Sequence, residues 1–193
     1  DLLDEPDETV IVDIDQVNNA VEAGTQQKTI TILDNDDPPS VTLSVNNATI
    51  AEAAGASTVT ATLSNPSSQQ VTVTLAATGT AAGGGADYTL ASNTITIAAG
   101  QTTGTTTVIA VQDNIDELDE TIILDIDQVT NGTENGTQQK TITITDDDDI
   151  PTVQLSLVNA VMREDADVST LRATINRASS RDVTVNLVIS GTA

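Results

Sequence analysis

Val59-Thr60-Ala61-Thr62-Leu63-Ser64-Asn65-Pro66-Ser67-Ser68-Gln69-Gln70-Val71-Thr72-Val73-Thr74-Leu75 is the stretch on which the fold turns. Apolar and polar residues alternate from 59 to 63 and again from 71 to 75, the period of a strand with one buried face. Asn65-Pro66-Ser67-Ser68 between them is a turn signal. Outward from this pair, Val41 to Val45 alternates in the same way, and Ile95-Thr96-Ile97 is a short strand stopped at Ala99-Gly100. Thr105–Val111, Thr121–Ile126 and Thr141–Thr145 complete the set. Short strands separated by turn signals, with no helical period anywhere, predict an all-β domain. The expected form is a seven-stranded Greek-key, immunoglobulin-like sandwich. Between Thr78 and Ala86 the chain is small and Gly-rich, which predicts a loop.

The pattern repeats. Slid by 112 positions without a gap, about 47 of 81 overlaid residues are identical. Gly24-Thr25-Gln26-Gln27-Lys28-Thr29-Ile30-Thr31-Ile32 recurs unchanged as Gly136 to Ile144. The period is the size of a domain, so each copy should own a core. Residues 1–37 read as the last part of one repeat, 38–149 as a complete repeat, and 150–193 as the first part of the next. On this reading the partial copies hold two and three strands and leave unpaired edges. The spacers Asp34-Asn35-Asp36-Asp37-Pro38-Pro39 and Asp146-Asp147-Asp148-Asp149-Ile150-Pro151 are short and stiffened by proline, which predicts domains nearly end to end. No signal peptide is visible, and Asp1 reads as an internal position of a longer protein.

The formal charge is -23, with no His and no Cys. Such a surface repels phosphate backbones, which excludes nucleic acid and anionic membrane as natural partners. Without thiolate or imidazole, metal chemistry is limited to oxygen ligands and therefore to hard cations such as calcium. No apolar run is long enough to enter a membrane. Tyr88 is the sole aromatic, so the core is expected from Val, Ile, Leu and Ala, with Tyr88 packed beneath the glycine loop. High Asp and Thr with low Lys suggests an extracellular, cell-surface setting.

Acidic residues recur at equivalent places. Asp113, Asp116, Glu117, Asp119 and Glu120 precede the sixth strand, matched by Asp1, Asp4, Glu5, Asp7 and Glu8. The Asp146–Asp149 run follows the seventh strand. Glu52, matched by Glu164, lies early in the domain, and Asp87 follows the glycine loop. In a Greek-key sandwich the loop before strand six and the end of strand seven reach one pole. Carboxylates about 4 Å apart at a protein surface repel by ~4 kcal/mol per pair. Such crowding favours a bound cation over simple solvation, and the carboxylates exceed the needs of one calcium ion, which takes about 6–8 oxygens.

At these residues the chain resembles the Calx-β family. The likeness is carried by Gly79-Thr80-Ala81, Gly85-Ala86-Asp87-Tyr88-Thr89 and Ile95-Thr96-Ile97-Ala98-Ala99-Gly100-Gln101. It continues through Asp113-Asn114-Ile115-Asp116-Glu117-Leu118-Asp119-Glu120-Thr121 and Ile142-Thr143-Ile144-Thr145-Asp146-Asp147-Asp148. The resemblance implies a calcium (Ca2+) site at one pole of the sandwich. Its ligands would be Glu52, Asp87, Asp113, the Ile115 carbonyl, Glu117, Glu120, Asp146, Asp147 and Asp148. Through the repeat it extends to Asp1, Leu3, Glu5, Glu8, Asp34, Asp36 and Glu164. Gln112 stands where the calcium-binding exchanger domain has an acidic residue, and Asn35 replaces the carboxylate found at Asp147. Asp116 and Asp119 match no family ligand, and both are expected to be exposed and solvated.

No catalytic constellation accompanies these residues: there is no Gly-x-Ser-x-Gly elbow and no His or Cys base or nucleophile. The expected function is structural, a calcium-stiffened repeat of a long secreted or cell-surface protein acting as extender, filament or adhesin stalk. Its partners would be neighbouring repeats of the same protein, including head-to-tail self-assembly. The competing expectations are a calcium-sensing regulatory domain of a larger membrane or extracellular protein, and an accessory module of an extracellular hydrolase.

Overall fold

In the computed structural model, which describes residues 2–192, the chain is built of strands throughout. In order they are β1 (Glu8–Val12), β2 (Lys28–Ile32), β3 (Ser40–Val45), β4 (Thr49–Ala51), β5 (Ala56–Leu63), β6 (Val71–Gly79) and β7 (Tyr88–Leu90). Then follow β8 (Thr94–Ile97), β9 (Thr103–Ala110), β10 (Glu120–Thr130), β11 (Thr133–Glu134), β12 (Lys140–Thr145), β13 (Val153–Leu157) and β14 (Leu171–Ile175). Among the described residues no helix is long and apolar enough to cross a membrane.

Residues of the middle copy form two five-stranded sheets, β4-β12-β10-β6-β8 and β11-β3-β5-β9-β7. All seven expected strands are present. Three short ones, β4, β7 and β11, join them, each too brief to show a period. The alternation resolves as predicted: in β5, Ser57, Val59, Ala61 and Leu63 point inward while the threonines between them face out. Val41, Val59 and Val108 from one sheet meet Val71, Val73, Ile95, Ile122, Leu124 and Ile142 from the other in a single core. Tyr88 closes it at 7% exposure. A Cβ on Gly83 would sit 3.1 Å from the Tyr88 hydroxyl, so the glycine loop lies directly over the ring.

Most pairs are antiparallel, with two exceptions. β4 runs parallel to β12, and β11 parallel to β3. A bulge in β10 between Ile126 and Gln128 interrupts its ladder with β6. Where β6 ends opposite Ile122, Gly79 has φ +125° and lies so close to Thr121 that a side chain there would overlap the Thr121 carbonyl oxygen.

The flanking copies form two-stranded ladders, β1 with β2 and β13 with β14. The register of Glu8–Val12 on Lys28–Ile32 reproduces that of Glu120–Leu124 on Lys140–Ile144. Their apolar faces are exposed, with Ile30 at 57% against 0% for its equivalent Ile142. The third strand expected near Val183–Leu187 is not formed. In the middle copy the matching strand, β6, lies between β10 and β8 and draws its hydrogen bonds from both.

Candidate metal centre

Strand direction gathers the acidic residues at one pole. Because β4 and β12 are parallel, their C-terminal ends coincide, delivering Glu52 and Asp146–Asp148; Glu52 N–H donates to the Thr145 carbonyl at 3.0 Å. β10 is antiparallel to β12 and so begins there, with Glu120. β9 ends and β7 begins at the same pole, where Val111 N–H donates to the Asp87 carbonyl at 2.9 Å. The loop from Asp113 to Asp119 crosses between the sheets.

Two carboxylate triads result. Glu52, Asp113 and Asp148 bring one oxygen each to within 4.8 Å of one another, and so do Asp87, Glu117 and Glu120. Glu52, Asp87, Asp113, Glu117, Glu120 and Asp146 line one small cleft together with Val111, Leu118 and Ile144. Asp146 Oδ1 and Asp148 Oδ2 are buried and accept no hydrogen bond from protein. Buried carboxylate oxygens without donors carry a heavy cost unless a cation meets them. The donor set, all oxygen and all anionic, suits a hard ion.

Neighbours brace the carboxylates. Asp113 N–H donates to Glu52 Oε1 at 2.9 Å, and Ile115 N–H to Asp113 Oδ1 at 2.7 Å. Asp87 Oδ2 accepts the Ala82 N–H, which ties the glycine loop to the site. Gln112 Nε2 donates to the Asp113 carbonyl at 2.9 Å and to Asp147 Oδ1 at 3.1 Å, joining the two acidic segments.

Crowding shows in the protonation of the site. Burial, a hydrogen bond with Asp87 and the charges of Asp87, Glu117 and Glu52 push Glu120 from its ordinary 4.5 up to about 7. Burial also raises Glu52, partly offset by the Asp113 N–H and reinforced by the charges of Asp113, Asp146 and Asp148. Glu117 rises through burial and then through Asp113, Asp87 and Asp146. Asp148 rises through burial and its Asp146 and Asp147 neighbours, while Arg177 opposes the shift.

These raised groups bind protons more tightly folded than unfolded. For Glu120 the stabilising protonation is fully present below its ordinary 4.5 and lost as pH rises through about 7, and the raised Glu52, Glu117 and Asp148 act in the same direction. The ion-free chain should therefore melt at a higher temperature at pH 5.5 than at pH 8, with Glu120 the main contributor. Calcium binding should weaken over the same interval on acidification, since ligands must be deprotonated. Calorimetry at the two pH values in chelator checks the first expectation; an opposite slope would contradict it.

Not every sequence-predicted residue joins the triads. Asp147 is exposed and takes only the Gln112 amide within hydrogen-bonding reach. Ile115 is half-buried on the loop, with its N–H turned to Asp113. Glu5, Glu8, Asp34 and Asp36 line the equivalent cleft of the preceding copy together with Asn35, and Leu3 is half-buried on the same loop. Asp1 lies outside the described residues. Glu164 is exposed in a turn and joins neither triad, because no counterpart of β4 forms in the third copy to direct it.

Of the two acids expected to be exposed, Asp116 is corrected and Asp119 is exposed as expected. Asp116 is 2% exposed, buried against the following copy. A hydrogen bond from Ser179 and then the Arg181 guanidinium hold its carboxyl below the ordinary value despite burial. Asp119 is exposed, yet its Oδ1 accepts the Asp146 N–H at 3.3 Å. Asp7 does the same for Asp34 at 3.1 Å, so the residue positions the acidic run in both copies. Both roles depend on contacts distant in sequence, which spacing alone cannot reveal.

Comparison with known proteins follows this geometry. The Calx-beta domain model matches residues 34–149, more than half of the chain. Among solved structures, the apo-form Calx CBD1 domain is similar at 18% identity and TM-score 0.47, covering 56% of this chain and 98% of that one. CBD12 from CALX1.2 is 17% identical at TM-score 0.49, covering 56% of this chain and 44% of that one. A putative carbohydrate binding protein from Bacteroides ovatus is 13% identical at TM-score 0.43, covering 63% and 40%. No curated protein matches the chain. On the extent of the domain match, the chain belongs to the Calx-beta domain family.

Proposed function

We propose that this chain is a calcium-binding structural segment of a long secreted or cell-surface protein, an extender, filament or adhesin stalk whose joints calcium rigidifies. The observation that carries the reading is the pair of carboxylate triads, Glu52/Asp113/Asp148 and Asp87/Glu117/Glu120, beside the unpartnered buried oxygens of Asp146 and Asp148. They supply hard oxygen ligands from segments that otherwise repel. Bound there, calcium would supply the positive charge that lets the four segments converge. The tandem repeat supports a mechanical role, because closely similar copies in series add length.

A second reading, a calcium-sensing regulatory domain, draws on one observation. The loop that holds Asp113, Glu117 and Glu120 also carries Asp116 into the next copy, so ion occupancy and joint geometry share a segment.

Calcium titration of the full chain by calorimetry tests ion binding. Glu120→Gln should weaken affinity by about tenfold or more, the loss of one charged ligand contact. Asp119→Asn keeps an acceptor for the Asp146 N–H and should leave affinity nearly unchanged. Absence of binding to the unaltered chain would overturn the proposal. The reverse order of the two variants would show that the ligands are misassigned.

A further inference from the structure

The loop before β10 does more than hold carboxylates; its apex enters the next copy. Asp116 and Ser179 form an isolated parallel β-bridge, with Asp116 N–H donating to the Ala178 carbonyl at 3.4 Å and Ser180 N–H to the Asp116 carbonyl at 3.0 Å. Ser179 Oγ donates to Asp116 Oδ2 at 2.6 Å, and the Arg181 guanidinium pairs with the same carboxylate, its Nε 3.3 Å from Oδ2.

The preceding junction repeats this. Asp4 and Ser67 bridge in parallel, with Asp4 N–H to the Pro66 carbonyl at 3.3 Å, Ser68 N–H to the Asp4 carbonyl at 2.9 Å, and Ser67 Oγ to Asp4 Oδ2 at 2.7 Å. Within each turn the serine hydroxyl also accepts the N–H two residues on, from Gln69 or Arg181, at 3.1 Å. Asp4 and Asp116 occupy the same repeat position, as do Ser67 and Ser179.

We propose that this aspartate–serine contact is a latch between successive repeats that sets their relative orientation without an ion. The middle copy carries both halves: the Pro66–Gln69 turn receives the preceding copy, and Asp116 enters the following one. The partner that fits each half is therefore another copy of the same repeat, and a constant latch fixes a constant step along the array. Hydrogen bonds to a partly buried carboxylate are directional and better shielded from solvent than a surface ion pair. The two junctions differ in their cations. Arg177 lies 3.7 Å from Asp148 and 3.9 Å from Asp149 where the preceding junction has Asn65, which donates to the Asp37 carbonyl. Arg181 adds a guanidinium where the preceding turn has Gln69, so the second latch should hold more firmly.

The latch does not rest on calcium binding, and the experiment separates the two. Because the chain has no cysteine, paired cysteines introduced at the exposed Thr89 and Ser156 can carry spin labels without competing sites. Distance distributions are recorded for the full chain in chelator and in calcium. The expected result in chelator is one narrow population, lost in both Asp116→Ala and Ser179→Ala. Ser179 lies outside the middle sandwich, so S179A should leave that domain's melting and its calcium isotherm unchanged. A broad distribution for the unaltered chain in chelator would overturn the latch, as would a narrow one that survives both substitutions. If calcium alone narrows the distribution, the ion sets the joint and the latch is refuted while calcium binding stands.

Discussion

Calcium in excess is expected to raise the thermal midpoint of the full chain by on the order of 10 °C over the value in chelator. An ion that binds only the folded state at a hundredfold excess over its dissociation constant stabilises by ~2.7 kcal/mol, and a unit of this size gains about 4 °C per kcal/mol. The segments concerned come from four places in the chain, and burial together with their mutual charge raises the Glu120, Glu117 and Glu52 carboxyls when the site is empty. Magnesium should give a much smaller shift, because it demands regular octahedral geometry and gives up its water reluctantly. Calorimetry in calcium, magnesium and chelator reads the effect. Equal midpoints in calcium and chelator would remove the basis for an ion-stiffened joint, whatever the family membership.

Ile142→Ala should destabilise the chain by ~2–5 kcal/mol, the cost of a cavity in a core that cannot fully collapse. Ile30→Ala should cost less than ~1 kcal/mol, as exposed substitutions do. The two residues occupy the same place in the identical nonapeptides Gly24–Ile32 and Gly136–Ile144. Ile142 is fully buried between β10 and the facing sheet, whereas Ile30 faces solvent on a two-stranded ladder. Denaturant unfolding of the two variants measures the difference. Equal costs would mean that the β1–β2 ladder is buried in solution against something else.

The legibility of this protein divides along the same line. Period-2 alternation made the seven main strands visible, because a half-buried strand must alternate whatever its neighbours are. β4, β7 and β11 were not visible, since two or three residues show no period and exist as strands only through their partners. The acidic pole was legible as charge density and as a family resemblance. Its division into two triads was not: Glu52 reaches Asp113 and Asp148 only because β4 pairs in parallel with β12, across more than ninety residues.

Asp116 and Asp119 mark the boundary most clearly. In sequence each is one more acid in a run of acids, and the ordinary expectation for such a residue is solvent. The structure places Asp116 under Ser179 and Arg181 and turns Asp119 toward the Asp146 N–H. Alternation, repeat length, absent His and Cys, and the acidic surplus belonged to the sequence by itself. They sufficed for a β-sandwich in the middle copy with its carboxylates gathered at one end, because each follows from local geometry or from the inventory of side chains. Which acids converge, which is buried at the joint, and whether the same isoleucine is core or surface were decided by pairing between distant segments. Hydrogen-bond direction and burial are properties of two surfaces in contact, and one stretch of sequence specifies only one of them.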